Sequence, residues 1–157
     1  MNRCLILLMV ISLSARAQSG DHAGDRAGDH RAADSVQLVG FLDHFLTSFR
    51  TLNWEPFYAC FSEEATAFFP PSSKFPYRAS DKEQLGSIFR RVFEGARSRG
   101  STLTIEPKDM KVQLMDGFAI VTFLLEDPGM LGRRTLVCIK TGEGWKILHL
   151  HASGIAQ

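Results

Sequence analysis

Gly144-Trp145-Lys146-Ile147-Leu148-His149-Leu150-His151-Ala152-Ser153-Gly154 is an eleven-residue stretch with a glycine at each end and an apolar or aromatic residue at most positions between them. Side chains alternate across a β-strand. Strict alternation puts Trp145, Ile147, His149, His151 and Ser153 on one side, with Leu148, Leu150 and Ala152 on the other. A strand this apolar needs partners, and the chain upstream supplies them. Gly142-Glu143-Gly144 is a turn, Arg134 to Lys140 reads as the preceding strand, and Asp127-Pro128-Gly129 breaks the chain before it. Phe118 to Leu125 is almost wholly apolar, as expected of an internal strand covered on both faces. Asp116-Gly117 is a hairpin turn, and Leu103-Ile105 with Met110-Val112-Leu114 follow period two, with a register change at Pro107 that suggests a bulge.

Further upstream the period changes from two to 3.6. Leu38, Leu42, Phe45 and Phe49, widened by Phe41, Leu46 and Leu52, mark a first helix capped by Asp34 or Ser35. Asn53 caps a short second helix with Trp54, Phe57 and Phe61 on one face and Pro56 in its first turn. Ala65 to Phe69 reads as a strand ended by Pro70-Pro71, and Ser72 to Arg78 has no period, as in a lid or pocket rim. Ser80 and Glu83 form a capping box for a third helix, Leu85, Ile88, Phe89, Val92 and Ala96, which Gly100 stops. Helices followed by a strand meander point to an α+β fold, an antiparallel sheet with helices on one face.

The chain has 157 residues, the size of one domain, and 18 Lys+Arg against 17 Asp+Glu. That balance gives no field to collect nucleic acid or an anionic membrane surface. Met1-Asn2-Arg3, the apolar run Cys4 to Leu13 and Ala15-Arg16-Ala17 together have the form of a cleaved export signal. The run is too short to span a membrane. The expected organisation is a signal peptide over 1–17, a linker over 18–34 and a domain over 35–157, with the protein periplasmic or secreted and off the membrane after cleavage. The linker repeats Gly20-Asp21-His22-Ala23, Gly24-Asp25-Arg26-Ala27 and Gly28-Asp29-His30-Arg31, with no aliphatic larger than alanine, which predicts disorder. Export would place Cys60 and Cys138 where they could pair, although two small buried hydrophobes are the better reading, since free cysteine is among the most buried residue types.

The order of elements, Asn53-Trp54-Glu55-Pro56-Phe57, Ala65-Thr66-Ala67-Phe68-Phe69-Pro70 and the closing Gly144 to Gly154 resemble the SnoaL-like branch of the nuclear transport factor 2-like superfamily. The closing segment is also similar to that of the association domain of calcium/calmodulin-dependent kinase II. The resemblance covers about residues 36–155. It implies a curved sheet forming a cone, three N-terminal helices packed over its concave face around a pocket, and a homodimer through the other face. Relatives include isomerases, dehydratases, epoxide hydrolases and cyclases as well as noncatalytic members, so the fold does not fix the function.

Candidate pocket residues are His149 and His151 on the closing strand, Arg134 one strand away, and the aromatics Trp54, Phe69 and Tyr77. A stripe of imidazoles with Trp145 and Ile147 fits a pocket wall, and it fits a moderately polar dimer interface as well. Metal is not expected, because beyond His-x-His the domain offers only His44, on the outer face of the first helix. Arg133-Arg134 puts one guanidinium on each face, and the sequence leaves open which points inward. No carboxylate stands out as a base: Asp43 is on a polar helix face and Glu126-Asp127 sits at a turn. The expected function is a noncatalytic pocket protein, without cofactor, for a small acidic or apolar molecule. The alternative is a small cofactor-free isomerase, cyclase or hydrolase in which a pocket histidine is the general base.

Overall fold

Three helices and six strands follow one another in the order α1 (Ala23–Arg50), α2 (Trp54–Ala59), β1 (Phe61–Phe68), β2 (Arg78–Ala79), α3 (Lys82–Ser98), β3 (Lys108–Leu114), β4 (Phe118–Asp127), β5 (Met130–Thr141) and β6 (Gly144–Ala156). The computed structural model describes residues 23–70, 76–100, 103, 105–127 and 129–156. The expected export signal, the linker up to His22 and the loop from Ser72 to Phe75 lie outside the described residues.

The helix α1 is longer than its apolar period. Leu38, Leu42 and Phe45 bury its inner face, but the helix begins at Ala23 and runs through repeats expected to be disordered. Two polar contacts tie the added turns to the sheet: Arg31 Nη2 donates to the Leu114 carbonyl at 3.1 Å, and Asp34 pairs with Lys140. Asp34 and Ser35 are therefore interior to the helix and do not cap it. At the other end Leu52 has a left-handed φ of 56° and is nonetheless buried. Its N–H returns to the Phe49 carbonyl, and that of Asn53 to Ser48, a helix stop that glycine usually provides. The Arg97 guanidinium donates to the Leu52 carbonyl at 2.6 Å and fastens the end of α3 to this corner.

α3 starts one residue later than the Ser80/Glu83 spacing suggests. Asp81 is the N-cap and accepts from Gln84 N–H at 2.8 Å, while the Ser80 N–H donates to Gln84 Oε1 at 3.1 Å. Its buried face is Leu85, Ile88, Phe89, Phe93 and Ala96.

The sheet is curved and unclosed, in the order β2-β1-β6-β5-β4-β3. β3 to β6 form the expected meander of antiparallel pairs. β1 lies beside β6 and pairs with it in parallel, because the last strand returns alongside the first in the same direction. Leu103 and Ile105 pack inward ahead of β3, and the register shift falls between Lys108 and Lys111, beside Asp109 with φ 48°.

Six phenylalanines interlock between the helices and the sheet. Phe57 is fully buried, with ring centroids 4.9 to 5.4 Å from Phe45, Phe49, Phe61, Phe89 and Phe93. Cys60 and Cys138 are buried free thiols on either side of Ile147. Two strand spacings, about 9.6 Å, separate their chains, beyond the ~7 Å a disulfide bridges. Burial pushes their pKa values up to about 11 and about 12. A thiol this weakly ionised is a poor nucleophile, so the native protein should leave both unmodified by an aromatic disulfide reagent at pH 8 and give two equivalents on unfolding. Rapid native reaction would contradict this burial.

Candidate ligand cavity

The concave face of the sheet and the inner faces of α1 and α3 enclose a cavity of about 310 Å³, near the lower end of the ~300–1,000 Å³ range of small-molecule sites. α1 supplies Phe45 and Phe49, α3 supplies Ile88, Phe89 and Val92, and the end of β1 supplies Phe69 and Pro70. The floor is Phe123 and Leu125 from β4, Arg134 and Leu136 from β5, and Leu150 and Ala152 from β6. Among the described lining residues Arg134 is the only one that carries charge.

The register explains which arginine points inward. Arg134 lies across from Phe123 on one side and Ala152 on the other, both buried on the concave face, whereas Arg133 lies across from Leu124 and Ser153 on the open face. Arg134 Nη1 donates to the carbonyls of Arg133 at 2.9 Å and Ser153 at 3.1 Å. These bonds hold a planar group with five N–H donors at the wall.

The same register moves the histidines. Cys138 pairs with Ile147 and Val137 with His149, so β6 carries one extra residue at Leu148. A bulge shifts the alternation by one. Trp145 and Ile147 are buried before it, Leu150 and Ala152 after it, and His149 and His151 therefore project from the open face. His149 Nδ1 shares a 2.8 Å hydrogen bond with Thr66 Oγ1. Burial, and then the nearby His151, hold the His149 pKa below the usual imidazole value. The Phe68 ring touches both imidazoles, with centroids at 5.6 and 6.1 Å.

Of the sequence candidates, Arg134 and Phe69 thus stand on the cavity wall together, with the Phe69 ring 5.7 Å from Phe89. Trp54 is a core residue stacked on Tyr58 at 5.0 Å under the Arg90 guanidinium. Tyr77 is 68% exposed, and its carbonyl accepts from Phe69 N–H. The wall residues missed by sequence reading, Phe45, Phe49, Phe123 and Leu136 among them, sit at helix and strand periods that a filled core would share. Among the described residues no group of three or more His, Cys, Asp and Glu converges on a metal position, and no helix is long and apolar enough to cross a membrane.

A curved sheet with helices closing an apolar pocket on its concave side defines the nuclear transport factor 2-like architecture, a frame for ligand binding or small-enzyme chemistry. Within that class, residues 39–157 match the model of the SnoaL-like domain, and the chain belongs to this family. Solved structures agree on the fold. A nuclear transport factor 2-like protein of unknown function from Pseudomonas putida KT2440 is 16% identical with a TM-score of 0.63, over 78% of this chain and 86% of that one. A candidate dehydratase of the same superfamily from Streptomyces avermitilis is 16% identical with a TM-score of 0.66, over 80% and 98%. A protein of this class with a cystatin-like fold from Novosphingobium aromaticivorans is 10% identical with a TM-score of 0.63, over 85% and 89%. No curated protein matches the chain.

Proposed function

We propose that this chain is an exported, noncatalytic binding protein that holds a small ring compound in the concave cavity, with an acidic or acceptor end of the ligand against Arg134. The carrying observation is the wall itself, apolar apart from one guanidinium. Apolar bulk supplies the affinity and a fixed arginine the orientation. The catalytic alternative needs a histidine on that wall, and both imidazoles of β6 are on the other face. The Streptomyces neighbour shares the fold at 16% identity, which carries no chemistry across. Export to the periplasm or medium rests on the basic start, apolar run and Ala15-Arg16-Ala17. N-terminal sequencing of the secreted product should begin at Gln18, and an intact Met1 would contradict export.

The protein also pairs with a second copy through the open sheet face. That face carries Ile120 and Leu124 of β4 and Val137 and Ile139 of β5, with Thr122 and Thr135 between them. Five strands at about 4.8 Å spacing, over about eight residues of about 3.4 Å, give roughly 650 Å² in projection. Side-chain relief brings this close to the ~800 Å² per partner of a stable interface.

Thermal unfolding with naphthoate and with the neutral naphthamide tests the ligand reading. Naphthoate at about 100 times its dissociation constant should stabilise the protein by about 2.7 kcal/mol, naphthamide should bind more weakly, and Arg134→Gln should abolish the preference for the acid. No stabilisation by either compound, or a preference unchanged in Arg134→Gln, would contradict it.

A further inference from the structure

We infer that pairing of two copies over the open sheet face is gated by protons: neutral His149 permits it, and acidification opens it. The inference rests on the pairing proposed above and adds its control. β6 and β5 are the two middle strands of the sheet, so His149 and His151 lie near the centre of the face. A twofold contact is isologous, and groups near its axis meet their own copies. Four imidazoles then converge in a patch that association removes from water.

The surroundings offer little to neutralise them once charged. β1 brings Thr66, whose hydroxyl is engaged with His149 Nδ1, and Phe68, whose ring touches both imidazoles; Glu64, two residues before Thr66, is exposed. β5 brings the apolar Val137, Thr135 and the cationic Arg133, which lies opposite Ser153. β2 brings another cation, Arg78, 5.9 Å above the Phe68 ring. On β6 itself Lys146 is 3.5 Å from Glu143, and at the far end of β4 Glu126 is 3.7 Å from Lys108. The near charges on this face are mostly positive, so protonated imidazoles add like charge to like.

The sign follows from His149. Burial already favours its neutral form, and its pKa lies below that of a free imidazole. Deeper burial between copies lowers it further. Association is thus strongest above the His149 pKa of the single copy, itself below the free-imidazole value of about 6.5, and is lost as pH falls through it.

Sedimentation equilibrium of the purified protein from pH 8 to pH 5 measures the effect, with circular dichroism at each pH to confirm that the chain stays folded. The dimer dissociation constant should rise at least about tenfold between pH 8 and pH 5.5, and His149→Gln/His151→Gln should hold that change to less than about threefold. His151→Gln alone, at an exposed position, keeps the test available if the double variant fails to fold, and it should remove part of the pH dependence. A dimer with a pH-independent constant overturns the gate and leaves the pairing standing. A pH dependence retained in the double variant overturns its assignment to these histidines, and a monomer at every pH overturns the pairing and the gate together.

Discussion

Phe57→Ala should lower the unfolding free energy by about 3–5 kcal/mol, the usual cost of removing a buried aromatic ring. Phe57 is at the upper end of that range for a structural reason. It is fully buried on the short α2 and its ring is shared by α1, α3 and β1, through Phe45 and Phe49, Phe89 and Phe93, and Phe61. Collapse cannot heal the gap, because the rings around it are held by two other helices and a strand at once. Against a total stability of about 5–15 kcal/mol for a domain, the loss takes a large fraction of the fold. Urea unfolding followed by circular dichroism reads it directly. A loss under about 1 kcal/mol would mean that the aromatic cluster does not carry the packing of the helices onto the sheet.

The second large effect concerns the cavity. Ala152 of β6 is on the floor of the cavity, paired directly with Arg134 of β5, and a phenyl ring placed there occupies the space a ligand needs. Ala152→Phe should therefore lose nearly all of the ~2.7 kcal/mol stabilisation that naphthoate gives at 100 times its dissociation constant. The unliganded variant should stay within about 1.5 kcal/mol of the parent, because the added ring enters a void and displaces no packed side chain. Full naphthoate stabilisation in Ala152→Phe, with the fold intact, would place the ligand elsewhere on the protein.

Much of the architecture was legible because its punctuation is local. Asp116-Gly117, with Gly117 at φ 75°, and Gly144, at φ 108°, stand at turns that need left-handed backbone, and the meander follows from them. The helix faces were legible through Leu38, Leu42, Phe45 and through Leu85, Ile88, Phe89. Features that depend on distant partners were not. The start of α1 is fixed by Arg31 reaching Leu114 and Asp34 reaching Lys140, contacts across 83 and 106 residues. The parallel seat of β1 beside β6 is a tertiary choice of the same kind.

The site was half legible. An inward arginine could be expected from Arg133-Arg134, but only the cross-strand register of Phe123 and Ala152 selects Arg134. The histidines were misplaced by counting alternation straight through Leu148. A single extra residue there inverts everything after it, and no property of Leu148 itself announces the bulge. The result is a strand whose first half presents Trp145 and Ile147 to the core while its second half gives that face to Leu150 and Ala152.

The most direct measurement is a naphthoate titration followed by nuclear magnetic resonance, with the methyl groups of Leu136, Leu150 and Ala152 and the imidazole C–H groups of His149 and His151 observed together. The concave cavity as the ligand site requires the three methyl signals to move with a common saturation curve while both imidazole signals stay in place. Imidazole signals that move while the cavity methyls remain fixed would put the ligand on the open face and contradict the account.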